Sequence, residues 1–149
     1  MRRFLIVVAA VALAVWFYRK SHRDAAPAPA AGHETSPGPG CLMAAEGANA
    51  SLSEATRLLV SFPVDSSKWS DAESRVTSAI SSADSACTGG TSEDERAGME
   101  DAREALTLMR ETLAEGAHAA LGAGGFQGAT RQEAIDNRLS AARRRFGLR

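Results

Sequence analysis

Groups that carry out chemistry are scarce in this chain. Its 149 residues hold three histidines and two cysteines, and aromatic side chains make up 5%. His22 sits in a basic cluster, and His33 stands in an isolated "HE" without the second histidine of a metal-binding helix. His118 falls off the apolar seam of its segment, and none of the three has a nucleophile at catalytic spacing. Glu100 and Glu104 share one helical face, but on a segment this rich in acids a solvated face is the simpler reading. "GAGG" at 122–125 is not followed by Gly-Lys-Ser/Thr and so is no phosphate loop. Two thiolates supply half a zinc site, and no histidine shares their face. The expectation is a protein that is not an enzyme and that needs no metal or cofactor.

Large apolar side chains are thin as well. From Cys41 onward Leu, Ile, Val and Phe number 18 of 109 residues, below the roughly one-fifth that marks a confident globular core. Alanine fills the seams instead. Such a domain is marginal alone and leans on helix propensity, a crosslink or a partner.

A long apolar run occurs once, in "MRRFLIVVAAVALAVWFYRKSHR". The stretch from Phe4 to Tyr18 carries no charge and follows Arg2 and Arg3. A cleaved leader needs a polar region ending in small residues, but here the small residues around Ala10 to Ala14 lie inside the run. A retained anchor is therefore preferred over a cleaved leader or a buried soluble helix. Fifteen residues reach about 22 Å as a helix, short of a hydrocarbon core of about 30 Å. Snorkelling of Arg2, Arg3, Arg19 and Lys20 extends the reach. Phe4 and Leu5 begin the apolar body, and Trp16, Phe17 and Tyr18 suit the interface. The flanking charges are nearly balanced, so they leave the orientation open.

From Asp24 to Gly40 the chain reads "DAAPAPAAGHETSPGPG", with four of the five prolines and no large apolar residue. That composition predicts an extended tether. Downstream, apolar residues step by three and four. Cys41, Ala45, Ala48, Leu52, Ala55, Leu59 and Phe62 form one heptad-like, coiled-coil-style seam, with a capping box at "SLSE" that predicts a restart near Ser51. After "FPVDSS", Trp69, Ala72, Val76, Ile80, Ala83 and Cys87 form a second, with Asp65 or a serine as its cap. After the Ser92–Glu95 box come Met99, Ala102, Leu106, Met109, Leu113, Gly116 and Ala120. A fourth segment is predicted to start at the box "TRQE", from Thr130 to Glu133, and to use Ile135, Leu139, Ala142 and Phe146.

The fold expected is all-α: a single N-terminal transmembrane helix over 1–20, a Pro/Ala/Gly-rich flexible linker over 21–40, and a small antiparallel bundle of three to four helices. The bundle is expected to be disulfide-clamped over 41–125 and followed by a basic amphipathic helix over 126–149. Cys41 opens the first seam and Cys87 closes the second, with the turn near Asp65 midway, so an antiparallel hairpin brings both thiols together. A structural disulfide is preferred to free thiols or a redox pair. It places the domain on the exported, periplasmic or extracellular side.

Charge is segregated: residues 1–40 carry net +3, 41–129 net −8 and 130–149 net +4. The last segment joins Ile135, Leu139 and Phe146 to Arg143, Arg144 and Arg145. It is expected to dock on the acidic bundle, with a membrane surface or an anionic partner as the alternatives. Phe146 is its one aromatic, so no stacking platform supports nucleic acid. The functional expectation is a membrane-anchored interaction or scaffolding module of the cell envelope, with a protein partner or self-association. A ligand-sensing bundle is the alternative.

Overall fold

The computed structural model describes residues 37–60, 63–123 and 125–148. The apolar start, with Phe4, Leu5, Trp16, Phe17 and Tyr18, lies outside the described residues, as does the spacer through Ser36. Ser61, Phe62, Gly124 and Arg149 lie outside them too. Among the described residues the chain is all-helical, with no strand: α1 Pro37–Arg57, α2 Ser66–Ala86, α3 Glu93–Ala120 and α4 Gly128–Arg145. A 3₁₀ turn, Leu58–Val60, extends α1. None of these helices is long and apolar enough to cross a membrane.

α1 starts four residues earlier than the linker composition implies. "PGPG" can form its first turn because the first four N–H groups of a helix have no intrahelical acceptor, so prolines there forfeit nothing. The restart expected at Ser51 does not occur. Ser51 lies inside the helix, and its hydroxyl donates to the Gly47 carbonyl at 3.0 Å instead of capping a new end.

α2 is capped by Asp65, whose Oδ1 accepts from Ser67 N at 3.1 Å and Lys68 N at 3.2 Å. α3 opens on the expected capping box: Ser92 Oγ accepts from Glu95 N at 3.1 Å, and Ser92 N donates to Glu95 Oε2 at 3.3 Å. α4 begins at Gly128, so "TRQE" lies within the helix and does not form its start. The N-cap residue Gln127 makes no side-chain cap, but its N–H donates at 2.9 Å to Oε1 of Glu115 on α3. A carboxylate from a neighbouring helix thus satisfies one of the donors left open at the start of α4 and complements the positive helix end.

α3 and α4 stop in the same way. Gly122 and Gly147 have φ of 76° and 68°, a region open to glycine. Ala123 N reaches back to His118 O and Leu148 N to Arg143 O, both at 3.0 Å, the hydrogen-bond pattern of a Schellman terminus.

Pairwise contacts set the topology. Cys41, near the start of α1, is bonded to Cys87, just past the end of α2. Arg110 meets Asp84 while Arg103 meets the Cys87 carbonyl. Arg131 meets Glu115 while Arg138 meets Asp101. Each successive pair of helices is therefore antiparallel, in an up-down-up-down bundle. α1 and α3 form the middle, each packing against both α2 and α4. Ala45, Ala48, Ala55, Ala102 and Ala105 are all buried there, and short side chains let the two helix axes approach.

Cys41 to Ala55 on α1, all six expected positions from Trp69 to Cys87, Met99 to Gly116 on α3, and Ile135, Leu139 and Ala142 on α4 lie inward as the spacing predicts. Leu59 and Ala120 are half-buried at the rim.

Candidate functional site

The two ends of the bundle and a groove on its side hold the features that bear on function. At one end, Cys41 and Cys87 form a disulfide with Cα atoms 4.5 Å apart, and both residues are fully buried. The side chain of Arg103 donates to the Cys87 carbonyl, which closes the C-terminus of α2 with a positive charge.

α4 meets this end with its last turn. Ile135 and Ala142 are fully buried, and Leu139 is 6% exposed. The half-buried Phe146 lays its ring against Gly38 of α1 and Gly98 of α3. A Cβ built on Gly98 would sit 2.6 Å from Phe146 Cε1, and one on Gly38 would sit closer still to Cδ1. Two helices supply bare backbone where this ring packs.

Four of the five arginines of α4 find partners within the bundle. Arg131 lies 3.2 Å from Glu115, Arg138 lies 2.8 Å from Glu104 and 3.3 Å from Asp101, and Arg145 lies 2.8 Å from Asp101. Arg143 lies 2.5 Å from Glu46 of α1. Arg144 is exposed and makes no ion pair among the described residues. Asp101 is 8% exposed and accepts from two arginines, which offsets the penalty of burying a carboxylate. A polar triangle joins α1 to α4, with Asn49 Nδ2 3.0 Å from Asp136 Oδ1, and Gln132 Nε2 2.9 Å from both Asn49 Oδ1 and Asp136 Oδ1. The segment read as a candidate interaction tail is thus in docked form, with Ile135, Leu139 and Phe146 turned inward and Arg143 and Arg145 paired internally.

These seats were missed in the sequence although a signal exists. Gly38 extends the Cys41–Ala45 seam back by one turn, but its surroundings read as linker. Gly98, Asp101 and Ala105, then Thr112 and Glu115 two turns further on, keep helical phase as a second stripe on α3, beside the apolar one. This stripe faces α4: Gly98 takes the ring and Asp101 and Glu115 take the arginines. Searching for large apolar residues passes over a stripe made of glycine, alanine and acids.

The other end is open. Val60 and Leu121 are 85% and 82% exposed, and Val60 lines a groove of about 480 Å³ with Leu59, Val64, Ala119 and Phe126, bordered by Thr56 and Arg57. Just inside it Trp69 covers Gly116, where an added Cβ would fall 2.5 Å from the ring. Among the described residues the buried indole Nε1 of Trp69 has no hydrogen-bond partner, which weakens this end.

A second groove, of about 420 Å³, runs between α2 and α3. Ile80, Leu113 and Ala114 line it with Glu73, Thr77 and Ser81, and the Asp84–Arg110 pair at 2.6 Å borders it. Among the described residues no group of three or more His, Cys, Asp and Glu side chains is arranged to hold a metal ion. Comparison of the chain with protein-family models, curated proteins and solved structures found no match.

Proposed function

We propose that this chain is a membrane-anchored, non-enzymatic interaction or scaffolding module whose helical bundle is carried on the exported side. The observation that carries the reading is the open end, where Val60, 85% exposed, lines a groove with Leu59, Val64 and Phe126 that Arg57 borders, and where Leu121 is 82% exposed. A small domain gains nothing in stability by holding such residues in water, and clustered exposed apolar surface marks a contact site. The Cys41–Cys87 bond supports the exported orientation, because disulfides persist in oxidising compartments. The uninterrupted run from Phe4 to Tyr18 supports retention in the membrane.

Two measurements test this. A photo-crosslinker at Val60 in membranes should trap a discrete partner or second copy, and one at the exposed Glu133 on α4 should not. Equal yields from both positions would remove the open end as the contact surface. Intact mass of the membrane-fraction protein should include Met1 or Arg2, and a mature N-terminus between Ala10 and Ala31 would remove the anchor.

A ligand-sensing bundle is the second reading, favoured by the α2–α3 groove, where charged and hydroxyl groups converge over Ile80 and Leu113. It predicts a small molecule whose protection of the fold is abolished by Arg110→Gln.

A further inference from the structure

We infer that the first turn of α1 and the Phe146 ring form a latch that couples the point where the chain enters the bundle to the C-terminal end of α4, with the Cys41–Cys87 bond confining its opening. The inference rests on three placements and does not depend on the anchor. Gly38 lies in the turn Pro37–Gly40, upstream of the crosslink, and is buried under the Phe146 ring. Phe146 is the last residue before the Gly147 terminus of α4. Cys41, the next residue after this turn, is covalently held to α2.

The turn is weakly held by its own backbone. Pro37 and Pro39 have no N–H to donate, and Gly38 and Gly40 are poor helix formers. Its carbonyls serve only the amides one turn on, from Cys41 to Ala44. What holds it down is the ring on Gly38, and what holds the ring is the turn together with Gly98. Each contact therefore stabilises the other, and loss of either loosens both, although Gly98 and the Arg143–Glu46 and Arg145–Asp101 pairs still bear on the α4 side. Unwinding that starts at Pro37 reaches the disulfide after four residues and stops there, because α1 beyond Cys41 is clamped to α2. Opening the latch releases the aromatic end of an arginine-rich segment, 143–146, without dismantling the bundle. Pull on the chain upstream of Pro37, or a ligand for that segment, is the input such a device reads.

Hydrogen exchange by mass spectrometry on the full chain tests the coupling in both directions. Phe146→Ala should speed exchange of the Leu42–Ala44 amides by about tenfold or more. Gly38→Ala, which intrudes on the ring, should speed exchange of the Phe146–Leu148 amides similarly. In both variants the amides from Ala48 to Ala55 should keep their protection while the disulfide is intact, and lose it when the bond is reduced. Met43→Ala, on the same stretch but 72% exposed, should change none of these. Unchanged exchange at Leu42–Ala44 in Phe146→Ala would refute the coupling. Loosening that spreads past Ala48 with the bond intact would refute the confinement.

Discussion

The ring of Phe146 occupies the space that any side chain on Gly98 would need, with an ideal Cβ there only 2.6 Å from Cε1. The glycine is therefore required by its neighbour, since its helix would be better served by alanine. Gly98→Ala should lower the melting temperature even though alanine gains about 1 kcal/mol of helix propensity, because overpacking typically costs about 1–3 kcal/mol. Gly47, inside α1 with none of the described residues within 4 Å of an added Cβ, is the control. Gly47→Ala should raise the melting temperature. Thermal unfolding followed by circular dichroism compares the two, and a shift of the same sign in both would contradict the seat.

Docking of α4 is predicted to rest on apolar contact more than on charge. Phe146→Ala should destabilise by about 1–3 kcal/mol, below the ~3–5 kcal/mol of a fully buried ring because Phe146 is half-buried. Replacing Arg143, Arg144 and Arg145 together with glutamine should cost less. Exposed pairs contribute about 1 kcal/mol or less each and are screened by salt, and the arginine side chains at 143 and 145 are 48% and 47% exposed. The loss in the triple variant should shrink at high salt, whereas the loss in Phe146→Ala should not.

Cys41 and Cys87 should resist alkylation in protein from its native compartment, with or without denaturant, until a reductant is added. The bond spans a sequence separation of 46, for which the chain-entropy account gives roughly 4 kcal/mol. In a core this poor in large side chains, Cys41→Ala combined with Cys87→Ala should lower the melting temperature more than any single substitution named above. Labelling of both thiols in denaturant alone would show that they are free, and would reopen the cytoplasmic orientation.

Asp65 gives α2 an acid-sensitive start. Its carboxylate accepts from the Ser67 hydroxyl at 2.8 Å and from the Lys68 amide at 3.2 Å, with Lys68 Nζ 3.3 Å away. These contacts, the Ser67 hydroxyl first, lower its pKa from 3.8 to about 2. Because the folded value is the depressed one, the stabilisation is fully present above about 3.8 and is lost as pH falls from there towards 2. Melting temperature should decline through that window. Asp65→Asn keeps a capping oxygen but has no proton to take up, so it should flatten this part of the profile. A decline of equal depth in the variant would assign the acid sensitivity to other carboxylates.

The legible part of this fold was local. Spacing by three and four placed Trp69 through Cys87, Met99 through Gly116, and Ile135, Leu139 and Ala142 on inward faces, and phase together with the turn near Asp65, midway between them, paired Cys41 with Cys87. Those inferences work because a helix brings residues three and four apart onto one side whatever lies beyond it. The Asp65 and Ser92 caps were equally local, each closing on an amide two or three residues away.

What only the tertiary structure decided is where partners come from another helix. "TRQE" and "SLSE" satisfy the capping pattern, yet neither begins a helix: Glu115 serves the start of α4 from α3, and α1 runs unbroken through Ser51. "PGPG" reads as spacer until Phe146 arrives from the far end of the chain to cover Gly38. Asp101 reads as one more solvated acid until Arg138 and Arg145 converge on it. At Gln127, Gly38 and Asp101 the partner lies on another helix, and helical spacing within one segment does not say which residue of another segment will meet it.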